Sequence, residues 1–305
     1  MIWKILGSRE ITVDLPKRFD KWSMYTFIDS VINEQLDAKC SKIFFNFGQL
    51  QFIEPVGVVV LSNLIEYFKK LNVSVWFKGH TSATLPIKFL DDSGFFKHYL
   101  SKSLFESSAV RVTTIPLHLV ANDRATEFLY FKLMPWIENE VGLTESSLAT
   151  VRSSIVEIFH NIRDHSGVNI GCAFAQHYPK KAEIQVAISD FGFGIPQVVR
   201  NAIPELTDPE AIRKACEEGF TTRSNVQNRG AGLPHLMRYV TQRNTGTVLI
   251  ASGKGEISAS KSWQGTKLTV RNAEGFYPGT LVRVILRTDT FERVAEDAQL
   301  EPFEW

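Results

Sequence analysis

Glu157, Asn161 and His165 recur at intervals of four, and the chain then runs through an alternating strand into Asp190-Phe191-Gly192-Phe193-Gly194. On a helix each step of four turns only ~40° and rises ~6 Å, so the three polar groups form one slanting row able to face a single ligand. The helix is expected to start after Thr144, which caps it, with Glu145 in the first turn and Val151, Ile155, Ile158, Phe159 and Ile162 on the buried face. Residues 183–189 alternate in apolarity and deliver Asp190 at their end, where glycines let the backbone turn sharply and a flat ring approach closely. A buried carboxylate there can accept a hydrogen bond from an exocyclic amine such as that of adenine, a contact worth roughly 1.5–3 kcal/mol. Taken singly, the row fits a solvated helix face and the glycines fit a tight turn. Their order along one chain is what constrains the fold.

Further on, Asp208 is expected to cap a helix, with Pro209 in the first helical turn and Gly219 at its end. The polar stretch that follows, with Thr221, Thr222 and Arg223 at its head, has the character of a lid. Gly230-Ala231-Gly232 then runs into Leu233 and Pro234. Exposed amides and a helix dipole at such a point face an anion, for which a triphosphate is the fitting candidate.

A length of 305 residues favours two domains, each able to bury a core. Lys and Arg (34) nearly balance Asp and Glu (33), which argues against a broad nucleic-acid footprint or a polybasic membrane surface. Three widely spaced cysteines, Cys40, Cys172 and Cys216, suggest neither a disulfide framework nor a zinc site, and a reducing cytoplasm is the expected setting. The longest apolar run, near residues 56–61, is far below a bilayer span.

In the first third, residues 11–15 alternate like a strand, and Phe27, Ile28, Val31, Ile32 and Leu36 recur at helical spacing. Residues 42–47 read as a buried strand. A second helix is expected over residues 56–71, with Val60, Leu61, Leu64, Ile65 and Phe68 in one stripe and Glu66, Lys69 and Lys70 outside, followed by a strand at 73–77. The pattern weakens between residues 90 and 112, which places a boundary near 112. Later strands are expected at 170–176, 181–189, 246–251, 256–260, 266–270 and 279–286, giving helices layered on a mixed sheet. The acidic end, residues 289–305, carries Phe291, Phe303 and Trp305 and reads as a loose tail, with a docked helix as the alternative that its three aromatic residues allow.

The four stretches around Asn161, Asp190, Thr221 and Gly230 resemble the N-box, first glycine box, lid and second glycine box of the GHKL superfamily of ATP-binding proteins. The resemblance covers residues 113–288. It implies an α/β sandwich of the Bergerat type, helices on a mixed, mostly antiparallel sheet, that binds ATP with Mg²⁺. It further implies that Asn161 ligates the metal, that Asp190 holds adenine and that Glu157 is the catalytic base. His165, Gly192, Gly194, Thr221, Thr222, Arg223, Gly230, Gly232 and Leu233 are expected around the nucleotide. Residues 1–112 are similar to a STAS domain, on the strength of Phe44-Phe45-Asn46-Phe47-Gly48 and the stretch from Phe52 through Glu54, Pro55 and Gly57 to Leu61. Antagonists switched by phosphorylation carry a serine after the acid at this helix start. This chain has Pro55 and Val56 there, and neither accepts phosphate.

The resemblance therefore implies an ATP-binding regulatory protein, a Mg-dependent kinase of the anti-sigma-factor type acting on Ser or Thr of a partner. An ATP-gated switch or slow ATPase is the alternative, and an atypical histidine kinase using His118 or His98 comes last. The expected partner is a protein, STAS-like or sigma-regulatory, and a homodimer is compatible with the same reading. Neither nucleic acid nor membrane is expected as a partner.

Overall fold

Proline at the first turn of a helix loses no hydrogen bond and presets the helical φ, and the apolar run that follows Glu54 uses this start. In a computed structural model, which describes residues 9–119, 125–142, 149, 152–153, 155–156, 171–220 and 232–291, this run becomes helix α2, Pro55–Lys70. The sequence predicts a single buried stripe. The observed helix is buried nearly all round, Ser62 and Asn63 included, while Lys69 and Lys70 stay outside. The reason is that α2 lies between two sheets.

One of them is parallel, in the order β1 (Glu10–Asp14), β3 (Lys42–Asn46), β5 (Ser74–Lys78). Its residues alternate, so Ile43 and Phe45 are buried while Phe44 and Trp76 pair their rings on the outer face. β3 is thus covered on one side only, with the period of two that a half-buried strand requires. Helix α1 (Met24–Val31) lies in the same layer as α2, and a short pair, β2 (Arg18–Phe19) with β4 (Phe52–Ile53), leads into α2. Two more helices follow, α3 (Leu85–Asp92) and, inside the stretch where the sequence pattern weakens, α4 (Phe95–Leu100). Phe95 and Phe96 are fully buried against Phe47 and Phe77.

The second large sheet has five strands in the order β6-β7-β8-β10-β9: β6 (Thr114–Leu119), β7 (Gly171–Tyr178), β8 (Glu183–Asp190), β9 (Thr247–Ser262) and β10 (Gly265–Arg287). Every pairing in it among the described residues is antiparallel, so the mixed sheet expected from the sequence is corrected: the parallel strands belong to the other layers. Its two faces enter different cores. Phe174, Ala187, Phe191, Ala251, Tyr277 and Leu281 join the core of α2, whereas Val186, Ile188, Ile250, Val282 and Val284 pack under helices on the far side. Those helices are α5 (Ala125–Phe128), which passes through a π turn at Leu129–Leu133 into α6 (Met134–Val141), then α7 (Gly194–Arg200), α8 (Asp208–Ala215) and α9 (Gly232–Arg238). The protein is therefore a mixed α/β structure whose first core continues across residue 112 onto the larger sheet.

Two local expectations are corrected. The cap of α8 is Thr207, not Asp208: Thr207 and Glu210 form a reciprocal capping box, with the Thr207 N–H donating to Glu210 Oε2 at 2.9 Å. Asp208 instead accepts the Lys254 N–H at 2.6 Å. The four short strands expected between residues 246 and 286 are two long ones, β9 and β10. β9 continues through Gly253 at φ +59°, a position where a Cβ would lie 2.3 Å from Asp208 Oδ2 and only glycine fits.

Register shifts in β10 between Asn272 and Thr280 bring the strand against α1. There the buried Glu256 accepts from Arg271 Nε at 2.8 Å and from the Tyr25 hydroxyl at 3.2 Å. Arg271→Ala would strand that carboxylate. With the guanidinium partly solvated, the expected loss is roughly 1–3 kcal/mol by urea denaturation, and adding Glu256→Gln should recover most of it. Equal stability of the single variant and the parent would show that solvent already satisfies Glu256. Among the described residues no helix is long and apolar enough to cross a membrane.

Candidate functional site

Strand alternation sends Asp190, the last residue of β8, to the helix-covered side of the sheet, while its neighbours Ser189 and Phe191 face the core of α2. Asp190 is only 2% exposed. Burial pushes its carboxyl group up to about 8, against the opposing pull of the Gly192 and Thr280 backbone N–H groups. Its Oδ1 is buried and has no hydrogen-bond partner among the described residues. A buried acceptor left unpaired costs about 1–3 kcal/mol, which a ligand carrying an N–H donor would recover.

The loop beyond Asp190 is locked by β10. Thr280 stands opposite Asp190 in the register, and Gly279 beside it has φ +80°. A Cβ on Gly279 would lie 2.3 Å from the Asp190 carbonyl oxygen and 2.4 Å from the Gly192 nitrogen. Gly194 opens α7, whose Ile195 N–H donates to Ser252 Oγ at 3.0 Å, and Ser252 donates to the Gly279 carbonyl at 2.5 Å. Asp190, Gly192 and Gly194 thus meet Gly279, Thr280 and Ser252, three residues that the sequence did not mark. The Gly-Thr pair before an alternating strand is a weak signal, and only the pairing with β8 gives it meaning.

Gly232 and Leu233 begin α9, and the Leu233 side chain is 8% exposed in the helix-side core, where it packs as an apolar residue. Residues 155 and 156 are helical and Ile155 is fully buried, as the helical spacing predicts. Glu157, Asn161, His165, Thr221, Thr222, Arg223 and Gly230 lie outside the described residues.

No protein-family model matches this chain, and no curated protein matches it.

Three other groups, on α2, just before it and on β6, have defined places. Ser62 is fully buried on α2, its hydroxyl 2.5 Å from that of Tyr99. Glu54, the residue before α2, accepts from Arg18 at 2.9 Å and faces Arg283 of β10 at 3.5 Å. His118 of β6 stacks on Phe128 with ring centres 4.1 Å apart.

Proposed function

We propose that residues 113–288 form a GHKL-type unit that binds ATP with Mg²⁺, fused to a STAS-like layer, and that it transfers phosphate to Ser or Thr of a partner protein. The observation that carries this reading is the carboxyl oxygen of Asp190 that has no partner among the described residues, buried on the helix side of an antiparallel sheet beside two glycines. The exocyclic amine of adenine has the donor that this oxygen lacks. In the same reading Asn161 holds the metal, which neutralises phosphate charge, and Gly230, Gly232 and the Thr221-Thr222-Arg223 segment enclose the phosphates. Glu157 takes the proton of the acceptor hydroxyl.

The acceptor belongs to another protein in this reading. Pro55 and Val56 have no hydroxyl, Ser62 is buried, and Glu54 at the start of α2 is engaged by arginines. A second reading, an ATP-gated switch with slow hydrolysis, is favoured by the core that α2 shares with the sheet, because a change at one face has a packed route to the other. The histidine-kinase reading is the weakest, with His118 in a strand and stacked on Phe128.

Calorimetric titration of the full chain with MgATP, followed by mass spectrometry of a mixture with candidate partners, tests the proposal. Glu157→Ala should retain nucleotide affinity and lose roughly 10²–10⁴ in turnover. Equal loss of affinity in that variant would remove Glu157 from the role of base. Absence of any ATP affinity in the parent chain would remove the whole reading. Phosphate release without a labelled partner would favour the switch.

A further inference from the structure

The residues on either side of Asp190 are held by a helix of the other layer. Asn63 Nδ2 of α2 donates to Ser189 Oγ at 2.9 Å, and Ser189 Oγ lies 2.5 Å from the Tyr277 hydroxyl. All three residues are fully buried. One turn along α2, Tyr67 meets the Phe191 ring edge-on at 6.2 Å, and Tyr277 meets the same ring at 6.0 Å. Positions 63 and 67 share a helix face, so a single rigid element grips both neighbours of the carboxylate. Tyr277 stands two residues before Gly279, whose backbone presses on the Asp190 loop. Buried polar contacts of this kind are geometrically demanding, because moving one partner leaves the others unpaired.

We propose that Asn63 and Tyr67 are positioning residues for base recognition: the STAS-like layer fixes the backbone at Ser189 and Phe191, and thereby aims the Asp190 carboxyl at the exocyclic amine. This rests on the nucleotide reading above and assigns the N-terminal layer a part in it. The layer is then an integral wall of the nucleotide site, acting through the opposite face of the sheet. Linkage makes the coupling reciprocal, so nucleotide binding also tightens the contact between α2 and β8.

The test compares MgATP with MgITP, whose base carries an oxo group where adenine carries the amine, in calorimetric titrations of the full chain. The parent is expected to prefer ATP by about ten- to hundredfold. Asn63→Ala should lower ATP affinity by about tenfold and leave ITP affinity within about twofold, so that discrimination collapses. General loss of structure would weaken both nucleotides in parallel, so the ratio is the informative readout. Tyr277→Phe removes only the hydroxyl that meets Ser189 and supplies a second variant should Asn63→Ala fail to fold. The two substitutions together should be less than additive, since both act through Ser189. Unchanged discrimination in both variants, or parallel loss of both nucleotides, overturns the positioning role while leaving ATP binding intact. A parent chain that binds neither nucleotide overturns the nucleotide reading and this inference with it.

Discussion

Asp190→Asn is expected to make the ligand-free protein more stable at pH 7 while weakening its affinity for adenine nucleotides at least tenfold. Burial raises the Asp190 carboxyl from an ordinary 3.8 to about 8, so between those values the folded chain holds a proton that the unfolded chain releases. Stability from this group is therefore complete below pH 4 and is lost as pH rises toward 8, at about 1.4 kcal/mol per unit. At pH 7 the accumulated loss is roughly 4 kcal/mol, which an uncharged side chain avoids. The new amide brings an N–H that lacks an acceptor at the orphaned position, at a cost of about 1–3 kcal/mol, so the net gain is roughly 1–3 kcal/mol. Urea denaturation at pH 5, 7 and 8 should show the parent weakening relative to the variant as pH rises. Parallel pH profiles for the two proteins would refute the assignment of this slope to Asp190.

The same carboxyl sets the pH dependence of binding. An amine donor favours the ionised form, so ATP binding below pH 8 must expel the proton, and affinity should rise by up to tenfold per unit between pH 6 and 8. Proton release shows up in calorimetry as a binding heat that varies with the ionisation enthalpy of the buffer. Asp190→Asn should bind ATP at least tenfold more weakly and without that pH dependence. Such a trade is usual where a site stores an unsatisfied polar group for its ligand.

How far this was legible in the sequence depends on how local each determinant is. The end of β8 could be read because Ile184, Val186 and Ile188 alternate immediately before Asp190 and glycines follow. The start of α2 could be read because Pro55 marks it. Its burial on all sides could not, because the strands that cover it from the second sheet, β7 and β8, come more than a hundred positions later. Helices α3 and α4 are eight and six residues long, too short to show a periodic stripe over a usable window. Gly253 and Gly255 fall in the gap between the strands expected at 246–251 and 256–260, and Gly279 at the start of the one expected at 279–286, yet the ladder carries on past them through bends and bulges. Of the site itself, the Asp190 loop was readable, whereas Gly279, Thr280 and Ser252 enter only through the register of β10 with β8 and β9.

Gly279→Ala is expected to destabilise the protein by roughly 3–5 kcal/mol and to abolish nucleotide binding. Two independent effects combine at this position. At φ +80° a side chain is strained wherever it sits, which costs about 1–2 kcal/mol. The added Cβ would also stand 2.3 Å and 2.4 Å from backbone atoms of Asp190 and Gly192, which the pairing of β8 with β10 prevents from moving separately. Gly94→Ala separates the two contributions, because Gly94 has φ +79° with nothing within 4 Å of the added atom. That variant should lose only the strain, about 1–2 kcal/mol, and keep its nucleotide affinity. Urea denaturation of both proteins gives the difference directly. A Gly279→Ala protein no less stable than Gly94→Ala would mean that the Asp190 loop can retreat from β10, and the carboxyl group would then lack the fixed aim on which base recognition depends.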